Sequence, residues 1–158
     1  MQAKSYIDRD QLAADVNYSD NDLDSAFMTH PGLVVRYGML HADAVKQHAA
    51  MKLKRDVVEA QVHADLKQRH IDNKEKFTEA GLSKEVIADR RYIAAYSNYI
   101  KAQEALDEAT QAIEALRHRR DVMVQSAKSK HMELTTSPDF AASKGFAEFF
   151  AAARSNKS

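Results

Sequence analysis

The chain has no cysteine and no tryptophan, and its 158 residues include only four glycines and two prolines. Without cysteine it can build neither a disulfide framework nor a thiolate metal site, which fits a reducing compartment. With so few breakers, and with about one residue in six alanine, the composition favours long helices over sheets. The opening Met1-Gln-Ala-Lys-Ser-Tyr lacks the apolar core of a signal peptide. No apolar run approaches the ~20 residues of a membrane span. One cytoplasmic domain with no membrane contact is therefore expected.

Catalytic patterns are equally scarce. There is no Gly-rich phosphate loop, no His-x-x-x-His, and no Glu-x-x-His pair suited to a carboxylate-bridged di-metal bundle. The pairs His41/His48 and His63/His70 are two helical turns apart, too far to share an ion directly. Glu59 and His63 read as a surface contact. With no strand expected, no serine, histidine or aspartate can stand at a sharp strand-to-helix turn. The expectation is a non-enzymatic protein with no catalytic residue, metal or cofactor.

Net charge is zero but unevenly spread. Residues 1–32 hold six aspartates against Lys4 and Arg9, whereas residues 33–71 hold seven basic and four acidic side chains. Further on, 101–114 is net acidic and 115–131 net basic. Zero net charge argues against nonspecific coating of nucleic acid by the whole surface, but leaves room for a local basic track.

What is abundant is helical periodicity. Ala88, Tyr92, Ala95, Tyr99, Ala102, Leu106, Ala109, Ile113, Leu116, Arg120 and Met123 recur at alternating spacings of four and three. That spacing predicts a packing seam on one long helix over about 84–133. Its alanine column, Ala88, Ala95, Ala102 and Ala109, would let a partner helix approach closely. Arg120 is the polar member of the seam and needs a partner or solvent.

Upstream, a helix over about 33–71 carries the stripe Val35, Met39, Ala42, Val45, Ala49, Leu53, Val57, Ala60 and Ala64, and is roughly 60 Å long. Asp72 to Leu82 reads as the turn, with Thr78 or Ser83 as cap. A short helix bearing Leu23, Phe27 and Met28 precedes a break at Thr29-His30-Pro31-Gly32. Asp10 could cap a turn over Gln11–Val16. After Ser137-Pro138, a last helix carries Phe146, Phe149 and Phe150 on one face, candidates for docking between subunits or contacting a partner.

The fold class is thus all-α: an N-terminal segment with a short helix (1–32), a long antiparallel helical hairpin (33–133), and a C-terminal Phe-rich helix (134–158). Two helices bury only part of the wide apolar arc that includes Ile93, Tyr96 and Ile100. The terminal helices could cover it, but the width favours self-association.

In an antiparallel hairpin turning near residue 78, Lys67 and Arg69 fall near Arg90 and Arg91, one turn from Tyr92 and Tyr96. Four cations beside aromatics suit phosphate contact and base stacking; a solvated helix end is the plainer reading. Lys54 and Arg55 would be neutralised across the hairpin by Glu104, Asp107 and Glu108. Arg117-His118-Arg119-Arg120, with Lys128, Lys130 and His131, forms a second basic region, where cations also complement a helix C-terminus.

The order of these features resembles that of the UvsY-type phage recombination mediators. It runs from Leu33-Val34-Val35-Arg36-Tyr37-Gly38-Met39-Leu40 to Leu66-Lys67-Gln68-Arg69. It continues through Val86-Ile87-Ala88-Asp89-Arg90-Arg91-Tyr92 to Ala112-Ile113-Glu114-Ala115-Leu116-Arg117-His118-Arg119-Arg120. The resemblance covers about Asp20 to Glu133. It implies a ring-like homo-oligomer that binds single-stranded DNA. Such a protein helps load a RecA-like recombinase onto DNA covered by single-strand-binding protein, in the cytoplasm of an infected host. The family's Lys-x-Arg pair after a leucine matches Lys67 and Arg69. The run after it, His70-Ile71-Asp72-Asn73, is less aromatic than in the best-known member. The runner-up reading is a helical oligomeric adaptor whose partners are proteins.

Overall fold

A computed structural model describes residues 2–136. The described chain is all-helical: α1 (Arg9–Val16), a single 3-10 turn at Asp20–Asp22, α2 (Leu23–Asp72), α3 (Glu79–Ala88) and α4 (Arg90–Thr136). No described residue lies in a strand. α2 and α4 form the expected long antiparallel hairpin. Arg91 at the start of α4 reaches Asp65 near the end of α2, while Arg119 far along α4 reaches Ala26 near the start of α2. The expected terminal helix with Phe146, Phe149 and Phe150 lies outside the described residues.

Local capping explains most element ends. Asp8, rather than Asp10, caps α1, its Oδ1 accepting from the backbone N–H of Asp10 and Gln11. Ser19 does the same for the 3-10 turn. Thr78 caps α3 by accepting from Gly81, as expected of one of the two candidates. α2 ends in a Schellman-type turn: Glu75 N–H donates to the His70 carbonyl and Lys74 N–H to that of Ile71. Lys74 itself sits at φ 57°, the left-handed region that glycine normally fills.

Three departures from the expected layout have physical causes. First, α2 runs unbroken through Thr29-His30-Pro31-Gly32. Pro31 withholds one helical hydrogen bond, but packing holds the helix on both sides of it: Leu23 and Ala26 pack with Met123, and Leu33 and Tyr37 with Leu116. Second, the second long helix is two. Asp89 is extended (ψ 132°), ends α3 and restarts α4 by accepting from the Arg91 N–H at 2.7 Å. Ala88 is therefore outside the seam and exposed.

Third, α2 packs on α4 with the opposite face to the one its aliphatic stripe suggests. The buried residues are Tyr37, Ala44, Gln47, Met51, Val62 and Leu66, about half a turn round the helix from Val35, Met39 and Leu53, which are exposed. The inner face looks polar in sequence because it includes Gln47 and His48. The N-terminal segment satisfies Gln47 and Tyr37, whereas Nε2 of His48 is buried without a hydrogen-bond partner among the described residues. Gln47 exchanges two hydrogen bonds with the Lys4 backbone, and the Tyr37 hydroxyl donates to Asp15 at 2.9 Å. Burial, reinforced by that carboxylate, pushes the Tyr37 hydroxyl up to about 12.

The core comes in three clusters strung along the hairpin. In the middle, Tyr37, Ala44, Ala109, Ala112 and Leu116 meet Ile7 from the N-terminal segment. Towards the turn, Val62 and Leu66 of α2 pack with Leu82 and Val86 of α3, edged by Phe77 and Tyr92. At the open end, Leu23, Ala26 and Met123 pack with Tyr18 and Phe27. Ala95, Ala102 and Ala109 are buried as the alanine column requires. Past Ala109 the buried line passes through Ala112, Leu116, Arg119 and Met123, so the seam's charged member is Arg119 and not Arg120.

Candidate nucleic-acid interface

The turn end of the hairpin is where the expected cations converge. The Asp65–Arg91 ion pair (2.6 Å) sets the start of α4 level with the penultimate turns of α2. Lys67 and Arg69 follow Asp65 within about one turn, and Arg90 precedes Arg91 at the head of α4. The four are not equivalent. Arg91 is held by Asp65 and Asp89, whose carboxylates raise its pKa further. In return the Arg91 side chain, then its backbone N–H, hold the Asp89 carboxyl below the usual range. Lys67 lies 3.5 Å from Glu79, which also contacts His63 at 3.3 Å. Arg69 and Arg90 are exposed, and their side chains make no hydrogen bond or ion pair among the described residues.

Carboxylates are interleaved throughout this end. Residues 62–91 hold seven lysines or arginines and six aspartates or glutamates, so the region is not a bare basic patch. His70 bonds Glu85 and Glu75, and those two hydrogen bonds raise its pKa, Glu85 having the larger effect. These contacts fasten α3 to α2 from the rim, around the apolar contact of Leu82 and Val86. A phosphate approaching Arg91 must compete with two carboxylates; one approaching Arg69 or Arg90 meets no such tie.

Along the first turns of α4 runs an aromatic ladder, with Tyr92 and Tyr99 on the expected seam and Tyr96 beside it. Tyr92 stacks on Tyr96 (5.9 Å between ring centroids, 23° between planes), Tyr96 contacts Tyr99, and Tyr99 lies against His48. The Arg55 guanidinium lies over Tyr99, 4.6 Å from its centre. Arg55 is thus engaged by Tyr99 and its neighbour Asp56. Glu108 is taken by Arg9 and Ser5, and Gln103 donates to Asp107. The expected cross-hairpin neutralisation of Lys54 and Arg55 is therefore absent from these contacts. Tyr96 is 43% exposed and Tyr92 half-buried. With Ile87, Ile93 and Ser97 they line a shallow apolar depression, which Ile100 extends along α4.

The arginines of the second basic region lie about 40 Å away along α4, and each is engaged. Arg117 pairs with Glu114, and Arg120 with Asp121. Arg119 must be removed from the accessible set: it is 5% exposed, donates to the Ala26 carbonyl and to Nδ1 of His30, and lies over the Tyr18 ring. Its Nε is buried without a partner. Burial, and then the charges of Arg119 and Arg120, lower the His30 pKa.

Among the described residues no group of three or more histidines and carboxylates could hold a metal ion, and no helix is long and apolar enough to cross a membrane. Comparison of the chain with family models, with curated proteins and with solved structures finds no match.

Proposed function

We propose that the protein is a non-enzymatic, self-associating single-stranded-DNA binder that acts as a recombination mediator. It would load a RecA-like recombinase onto strands covered by single-strand-binding protein. The observation that carries this reading is that one end of the hairpin holds two exposed guanidinium groups without an ion pair, Arg69 and Arg90, and also the stacked, half-exposed Tyr92 and Tyr96. Cations and accessible rings at one end of the hairpin suit a single strand, whose phosphates and unpaired bases are both presented. The order of motifs shared with UvsY-type mediators, Lys67 and Arg69 included, supports it. Self-association through Ile93, Tyr96 and Ile100 would place several weak sites on one particle, so that one strand engages many.

The test is fluorescence anisotropy of labelled oligo-dT against rising salt, comparing wild type with Lys67→Ala/Arg69→Ala and with Arg90→Ala. Binding is expected with a negative log–log salt slope, shallower in each variant, by about one unit per lost phosphate contact. Absence of binding at low salt by the intact oligomer rejects the reading.

A helical adaptor for other proteins is the competing reading. The interleaved carboxylates favour it, because they leave little net charge at the turn end. It predicts no salt-dependent DNA affinity and unchanged behaviour of both arginine variants.

A further inference from the structure

α2 and α4 leave a groove on each side of their contact. The N-terminal segment occupies one: Ser5 and Arg9 bond Glu108 of α4, Asp15 accepts from Tyr37 of α2, and Ile7, Leu12 and Val16 join the central core cluster. Val34 and Gly38 lie on the other side of Tyr37 from Leu33 and Leu40. The groove there, of about 250 Å³, is lined by His30, Val34 and Gly38 of α2 and by Ile113, Leu116, Arg117 and Arg120 of α4. We propose that this groove binds an acidic segment of a partner protein, taking one aliphatic side chain onto its floor and carboxylates at its basic rim. The site lies about 40 Å from Arg90 along α4, and the proposal does not depend on DNA binding.

The lining chooses the occupant. The floor is aliphatic: Val34 is 46% exposed and Ile113 half-buried, beside a buried Leu116. Gly38 leaves the α2 wall open, since a Cβ there would meet no atom within 4 Å. A volume of about 250 Å³ is below the roughly 300–1,000 Å³ of pockets that enclose a whole small molecule, and suits a single side chain. The rim is basic. Arg117 and Arg120 are cationic, none of the lining residues is a carboxylate, and α2 has no aspartate or glutamate between Asp24 and Asp43. Glu114 and Asp121 hold the two arginines only as exposed pairs within one helix, which compete weakly with an incoming carboxylate. With Nδ1 accepting from Arg119, the neutral His30 ring carries its proton on Nε2, a third donor. Burial, and then the charges of Arg119 and Arg120, lower the His30 pKa; a field that repels a proton attracts a carboxylate. No tyrosine or phenylalanine lines the groove, so it lacks the stacking platform that a single strand uses.

Three fluorescein-labelled peptides test this when titrated with the full chain by anisotropy: Asp-Asp-Leu-Asp-Asp, the same with serine for leucine, and Lys-Lys-Leu-Lys-Lys. The acidic leucine peptide should bind, and more weakly as salt rises. The serine peptide should bind about tenfold less tightly or worse, the worth of one buried aliphatic side chain, and the lysine peptide not at all. Gly38→Leu, whose side chain enters the groove, should keep the helical circular dichroism and weaken the acidic peptide by about tenfold or more. Arg117→Gln/Arg120→Gln should also weaken it, and Glu114→Gln/Asp121→Asn, which frees both arginines, should tighten it. Lys67→Ala/Arg69→Ala should leave it unchanged, which separates this site from the turn end.

Absence of binding by the acidic leucine peptide at low salt overturns the proposal. So does equal binding of the serine peptide, or an unchanged affinity in Gly38→Leu. If oligo-dT displaces the peptide, the occupant is nucleic acid. If Phe146→Ala/Phe149→Ala/Phe150→Ala raises the peptide affinity, the occupant is the chain's own C-terminal segment. If the peptide splits the self-associated particle in light scattering, the occupant is a second copy. Each of these three outcomes rejects an acidic partner segment.

Discussion

Arg119 holds its charge where none of its hydrogen-bond partners is a carboxylate. A buried cation stabilised only by a carbonyl, a neutral imidazole nitrogen and a ring face gives back little of its desolvation cost. Arg119→Met, which keeps the volume, should leave the urea midpoint unchanged or raise stability by ~1 kcal/mol. Arg119→Ala, which empties the space over Tyr18, should lower it by ~2 kcal/mol. Equal losses in both would show that the charge, not the volume, organises Ala26 and His30. Because His30 accepts from Arg119 through Nδ1, it must be unprotonated there. Its lowered pKa means that the unfolded chain takes up the proton first. Its contribution is therefore present above the ordinary 6.5 and is lost as pH falls through the folded value. His70 has the opposite sign. Its raised pKa stabilises the fold fully below 6.5, and that contribution is lost as pH rises through the folded value. Urea midpoints measured across pH should lose the acid-side decline in His30→Gln and the neutral-side decline in His70→Gln. Lys74 supplies a third test: in the left-handed conformation its side chain costs about 1 kcal/mol relative to glycine, so Lys74→Gly should stabilise by about that amount in thermal melts.

At the scale of elements, the hairpin was legible because its signals are local: a seven-residue rhythm, few breakers, and a polar turn with threonine at its exit. The faces of α2 were not, because the buried one looks the more polar in sequence. The more aliphatic stripe faces water, while the inner one contains Gln47 and His48, whose fit depends on Lys4 and on α4, residues remote in sequence. The joint at Asp89 had no glycine or proline to announce it. Tyr92 and Tyr96 were legible as rings at the turn end, open to stacking or to burial; that they stack on one another and stay partly exposed depended on how far α2 covers α4, which the seam alone does not say. The cations at the turn end were placed by simple hairpin register; that carboxylates would tie Lys67 and Arg91 depended on side-chain geometry the register lacks. The unbroken α2 through Pro31 has its own consequence. Gly32 and Gly38 lie inside a helix, and a Cβ at either would meet no atom within 4 Å. Gly32→Ala and Gly38→Ala should therefore each stabilise by up to about 1 kcal/mol in thermal melts. Destabilisation at Gly38 would point to a role in the groove it lines with Arg117 and Arg120.

For the molecule as a whole, three core clusters in a row make stability a property of position along the hairpin. Amides of residues 102–116, under the central cluster, should exchange most slowly with solvent, and those of α3 and of the start of α2 faster. Leu82→Ala should accelerate exchange in α3 and at the end of α2 while leaving 102–116 unchanged; a uniform increase would show that the hairpin opens as one unit. The single extended residue between α3 and α4 then acquires a mechanical meaning. Asp89 is a pivot carrying an arm of ten helical residues, about 15 Å long. Two apolar residues, Leu82 and Val86, seat the arm, and rim contacts of Lys67, His63 and His70 latch it. A few degrees of backbone rotation at the pivot become ångströms of travel at the Thr78 end. The latch is made of charges and imidazoles, so salt and pH act on the arm at the point where leverage is greatest.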